Sequence, residues 1–140
     1  MKIAVDFDGT IVEHKYPEIG EEHLFAIETL KELQRRQHLI ILWTFRSGKY
    51  LDEAVEYCRS RGLEFYAVNK NYPEEIFDET ISRKILADLY IDDRNFGGFP
   101  GWNVIFEMIC NGKALEPQLF DSDLNKKTFG NKLKRLFSGA

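Results

Sequence analysis

Two aspartates stand two residues apart at the end of an apolar run, in Asp6-Phe7-Asp8-Gly9-Thr10. A second acidic pair, Asp92-Asp93, closes a later apolar run. Asp6 is suited to attack phosphorus and carry the phosphoryl group as an aspartyl-phosphate. Asp8, past the end of the run, can protonate a leaving oxygen and later activate water. Gly9 relieves crowding where the chain must turn sharply. Thr44 ends another apolar run and offers a hydroxyl to phosphoryl oxygens, alongside backbone N–H groups of the loop that follows. Lys84 precedes the fourth run and can offset negative charge on Asp6 and on the phosphoryl group. Phosphoryl transfer depends mostly on such positioning and charge stabilisation. Several carboxylates meeting at one point repel one another, and a divalent cation relieves that repulsion. The candidate ligands are all hard oxygens, which suits Mg²⁺ rather than zinc or copper.

Arg46, Lys49, Asn69, Asn71 and Arg94 flank these positions and are candidates to touch substrate. Arg46 leads among them, because a guanidinium fork matches a phosphate or carboxylate. His14 is a weaker candidate, and Trp43 reads as sheet core. Residues 96–101 are rich in glycine, but they do not fit a dinucleotide fingerprint and read as a loop. The absence of a P-loop pattern argues against an ATP-driven kinase.

Elements of matching length and period surround these residues. Apolar, β-branched runs at 2–7, 38–44, 64–68 and 86–93 read as buried strands. Residues 21–37 place Leu24, Ile27, Leu30 and Leu33 three apart, as in a helix. Residues 49–61 put Leu51, Ala54, Val55 and Cys58 on one face, and Gly62 follows as a stop. A short helix is expected before the fourth strand. Residues 103–109 fit a fifth strand or a short helix, and 124–137 fit a terminal helix. Strands that are apolar throughout, alternating with helices, predict a doubly wound α/β domain in three layers, with a parallel sheet covered on both faces. In such sheets ligands bind beyond the carboxyl ends of the strands, where these candidates fall.

The 140 residues fit one domain, with a core over about 1–110 and an extension over about 111–140. With 44% hydrophobic residues, such a chain can bury a core without disulfides or a structural metal. Two cysteines do not make a stapled scaffold, and the three histidines show no paired zinc spacing. The apolar run at the start is too short for a signal peptide, and none approaches the ~18 residues that cross a bilayer. A cytoplasmic protein with no membrane role is expected. A net charge of −4 argues against nucleic-acid binding over a broad face. The five bases after Asp123 read as a solvated face of the terminal helix.

These motifs resemble the haloacid dehalogenase-like superfamily of phosphohydrolases. Its first motif, a strand followed by DxDGT, matches residues 3–10, and its second, a strand ending in Thr or Ser, matches 39–44. Its upstream lysine matches Lys84, with Lys70 as a rival, and Ile85 stands where many relatives have proline. Its strand ending in paired acids matches 89–93. The resemblance implies Asp6 as nucleophile, Asp8 as acid/base, and Mg²⁺ held by the Asp6 and Asp93 side chains and the Asp8 carbonyl. Asp92 would then be a neighbour of the metal ligands. Only 11–20 and 69–83 are free for a cap domain, so the chain looks like a capless member with a hairpin flap, similar to a small branch of bacterial and phage proteins. An open site admits a small phosphorylated substrate or a macromolecular phosphoester, and oligomer contacts could close it. Two other readings compete: an idle relative that binds a phosphorylated ligand, and a receiver-like signalling domain. A receiver places its acidic pair after strand one and its acceptor Asp after strand three, unlike this order.

Overall fold

Apolar runs build the centre of the sheet. The computed structural model describes residues 1–112. Strand β1 (Lys2–Val5) pairs in parallel with β2 (Leu39–Leu42), matching Ile3 to Ile40 and Val5 to Leu42. Strand β3 (Ala67–Val68) extends the sheet beyond β2, and β4 (Leu89–Ile91) lies on the other side of β1. The order is therefore β3-β2-β1-β4, all parallel. The chain leaves β1 towards β2 and β3, then returns to β1's far side as β4. That reversal opens a crevice at the carboxyl ends of β1 and β4.

Strand alternation divides the core between the two faces of the sheet. Ile3, Val5, Ile40 and Leu42 face one way and join a cluster with Ile27, Leu30 and Leu33 of α1 (Ala26–Arg35). Ala54 and Cys58 of α2 (Gly48–Arg59) and Trp102, Ile105 and Ile109 of α3 (Trp102–Cys110) complete it. On the opposite face Ala4, Ile41 and Ala67 are covered by Ile85, with Trp43, Ala87 and Tyr90 beside them. The architecture is α/β and Rossmann-like, with four parallel strands and three helices among the described residues.

Several elements differ from the reading of the sequence. All three helices join one core cluster, so among the described residues the second face is covered by the irregular segment 69–88 rather than by helices. The short helix expected there does not form. Side chains satisfy that segment's backbone instead: Asn71 Oδ1 accepts from the Leu86 N–H at 2.6 Å, and Glu75 takes the Asn71 N–H at 2.6 Å. Residues 103–109 lie in helix α3, whose buried positions at 102, 105 and 109 follow a helical period. Helix α1 begins at Ala26, after Phe25 in a left-handed conformation (φ 66°), and leaves Leu24 outside, 76% exposed. Strand β3 has only two residues, fewer than the 64–68 expected, and pairs with β2 at one edge of the sheet. The terminal helix at 124–137 and its basic face lie outside the described residues. Among the described residues no helix is long and apolar enough to cross a membrane.

Candidate functional site

Strand ends bring the acids together. Asp6 follows β1, and its N–H donates to the Ile91 carbonyl of β4 at 3.0 Å, which locks the two strand ends side by side. Asp92 and Asp93 follow β4 directly. One carboxylate oxygen from each of Asp6, Asp92 and Asp93 lies within 4.8 Å of the others. Thr10 braces the pair from the β1 side: its Oγ1 accepts from the Asp93 N–H at 2.9 Å, and its carbonyl accepts from the Trp102 indole at 2.9 Å. Asp93 Oδ1 is buried without a hydrogen-bond partner. A buried carboxylate oxygen seldom stays unpartnered. Three clustered carboxylates and one such oxygen form a donor set that could hold a hard divalent cation.

The field at this point acts on Asp6. Burial pushes its carboxyl up from 3.8 to about 7. The Phe7 N–H works against that shift, and the charges of Asp92, Asp8 and Asp93 add to it.

Gly9 is needed here for two reasons. Its φ of +87° favours glycine, and a Cβ there would lie 2.4 Å from Asp93 Oδ2. Gly9→Ala is expected to destabilise the fold by about 1–3 kcal/mol through backbone strain alone, and to displace Asp93 as well. Urea unfolding of the variant measures the loss.

Asp8 stands apart from the acid cluster. Its two carboxylate oxygens accept from Arg46 Nε and Nη2, each at 2.7 Å, and both side chains are fully buried. The same guanidinium donates to the carbonyls of Pro17 at 3.0 Å and Glu18 at 2.8 Å. It lies between the rings of Phe7 and Tyr16, 5.1 and 5.2 Å from their centroids. Arg46 therefore ties Asp8 to the flap, with its guanidinium donors taken by Asp8, Pro17 and Glu18. The flap itself is the expected hairpin: Val12 bridges Glu22, and Glu13 donates to the Glu21 carbonyl at 2.8 Å.

The other candidates divide between the cavity and its supports. A cavity of about 510 Å³ is lined by Asp6, Asp8, His14, Trp43, Thr44, Phe45, Asp92 and Arg94. Thr44 is nearly buried, and its N–H donates to Asn69 Oδ1 at 2.8 Å, so Asn69 steadies the end of β2. Asn71 braces the loop through Glu75 and Leu86. Lys84 is exposed, with Nζ 5.3 Å from the centroid of the Tyr90 ring, and does not line the Asp6 cavity. Its rival Lys70 donates to the Pro73 carbonyl. Phe45, which is not among the residues expected to touch substrate, lines the cavity while 62% exposed. Its signal was an apolar ring between two functional candidates, just past the end of a strand.

Fold and site together define an α/β protein with a carboxylate cluster at the topological switch of a parallel sheet. A solved structure, of a conserved protein from Bacteroides thetaiotaomicron, is 61% identical to this chain, covers 84% of it and 98% of its own length, and superposes with a TM-score of 0.77. The chain belongs to the family of that protein, which is described only as conserved. No family model matches the chain, and no curated protein matches it.

Proposed function

We propose that the protein is a Mg²⁺-dependent phosphohydrolase of the haloacid dehalogenase-like superfamily, acting on phosphomonoesters through an aspartyl-phosphate on Asp6. One observation carries the reading: Asp6, Asp92 and Asp93 converge at the switch point, and a buried oxygen of Asp93 has no partner. Asp6, Asp92 and Asp93 would hold the cation, whose charge offsets theirs and that of a phosphoryl group. Asp6 attacks phosphorus as the ester oxygen departs. Thr44, held by Asn69, steadies the phosphoryl oxygens. Asp8 acts as acid and base once an oxygen leaves the Arg46 fork. The substrate is a small phosphorylated molecule or an accessible macromolecular phosphoester. Two free cysteines, one buried and one exposed, suit a cytoplasmic location.

The raised Asp6 value sets a pH dependence. Below about 7 a proton occupies Asp6 and competes with the cation. Mg²⁺ affinity is therefore expected to rise as pH increases through about 7 and to level off above it. The same shift makes ionisation costlier in the fold than in the unfolded chain. The metal-free protein should thus lose stability as pH climbs from 3.8 towards about 7. Calorimetric titration with Mg²⁺ at mildly acidic and mildly alkaline pH checks this, and equal affinities would contradict it.

The idle-binder reading gains support from Asp8, whose two oxygens are both engaged by Arg46. Turnover separates the two. The test is hydrolysis of an aryl phosphate with Mg²⁺ by wild type and Asp6→Asn. Mg²⁺-dependent turnover lost in the variant supports the enzyme. Binding of phosphate esters without turnover supports the idle relative.

A further inference from the structure

Four residues of the cavity wall do none of the work assigned to Asp6, Asp8, Thr44 and Asp92. They are His14, Trp43, Phe45 and Arg94, and every one presents a flat π-system. Phe45 is 62% exposed, so burial in the core does not account for a phenyl ring there. Its position is fixed, because Thr44 and the fully buried Arg46 flank it in sequence and the Tyr16 ring lies 4.8 Å away. Tyr16 leans in turn on Tyr50 at 5.6 Å, and Trp43 on Tyr90 at 5.4 Å. Phe45 and Trp43 are thus each supported by another ring while also lining the cavity. Aromatic faces bind other flat rings by stacking. His14 and Arg94 add hydrogen-bond donors suited to ring nitrogens and carbonyls.

We propose that the leaving group of the substrate carries a nucleobase, so that the cavity takes a nucleoside 5′-monophosphate, with its phosphate at Asp6 and its base against Phe45 and Trp43. This rests on the phosphohydrolase reading above and narrows it.

The test compares adenosine 5′-monophosphate with ribose 5-phosphate. Both release phosphate from the same primary oxygen of the sugar, and they differ in the base. With Mg²⁺, wild type is expected to favour the nucleotide by about tenfold or more in kcat/KM, mainly through KM, as one stacked base is worth. In Phe45→Ala the ratio should fall towards one. Phe45→Leu keeps apolar bulk without the ring and should behave like Phe45→Ala. A wild-type ratio near one overturns the proposal, as does a ratio unmoved by both variants. An aryl phosphate serves as control. If it is hydrolysed while neither sugar ester is, the nucleobase assignment fails and the phosphohydrolase reading stands. If no ester is hydrolysed, both fail.

Discussion

Asp6→Asn is expected to lower Mg²⁺-dependent hydrolysis of an aryl phosphate by at least about 10⁴-fold, the scale on which removing a covalent nucleophile acts. An amide is no nucleophile for forming the acyl phosphate, and as a cation ligand it lacks the carboxylate's charge. The same change should leave the metal-free fold at least as stable as wild type at neutral pH. Burial pushes the Asp6 carboxyl up to about 7, so its ionised form is held at a cost beside Asp92, Asp8 and Asp93. A neutral amide of the same shape removes that cost. Thermal unfolding and turnover, measured on the same two preparations, therefore move in different directions. Lost turnover with a raised or unchanged Tm fits a catalytic residue. Lost turnover with a collapsed Tm would mean that Asp6 matters for folding instead.

Arg46→Ala should do the reverse and act first on stability. Arg46 and Asp8 form a fully buried pair joined by two bonds of 2.7 Å. Removing one partner leaves the other charge buried and uncompensated, which costs about 3–5 kcal/mol. The variant also frees the Pro17 and Glu18 carbonyls and empties the space between the Phe7 and Tyr16 rings. A fall in Tm of about 10–20 °C follows at this chain length. Truncating Asp8 as well removes the stranded charge, so the double variant should lose less than the two single losses combined. Arg46→Lys keeps the charge but not the fork, and should fall between wild type and Arg46→Ala. Denaturant unfolding of wild type, Arg46→Ala, Asp8→Ala and the double variant measures the coupling. A loss below about 1 kcal/mol for Arg46→Ala, as for an exposed pair, would contradict this account of the clamp.

The parallel sheet was legible because its strands are short runs of apolar residues buried on both sides, and few other structures accept them. The acids at the ends of β1 and β4 were legible for the same reason: once both strands are placed, their next residues must meet. Segment 69–88 was not legible, since its backbone is satisfied by Asn71, Glu75 and Tyr90 side chains, and such bonds leave no period in a sequence. Leu24 continued the three-residue spacing of Ile27, Leu30 and Leu33 yet fell outside α1, because spacing does not mark where a helix starts. Arg46 has the chemistry of a phosphate ligand, and nothing in WTFRSG reveals that Asp8 and two flap carbonyls take its donors. Order along the chain puts Lys84 just before β4, whereas its side chain lies over Tyr90. An apolar ring at a strand end, such as Phe45, reads as core until its exposure is known.

If Asp6 carries the phosphoryl group, chemical trapping will find it there. Protein turning over an aryl phosphate with Mg²⁺ would be quenched and treated with borohydride, which reduces an acyl phosphate to the alcohol. Peptide mass spectrometry then locates the reduced residue. Homoserine is expected at position 6, formed only when both substrate and Mg²⁺ are present. Steady hydrolysis with an unmodified Asp6, or with the reduced residue at another carboxylate, would contradict it.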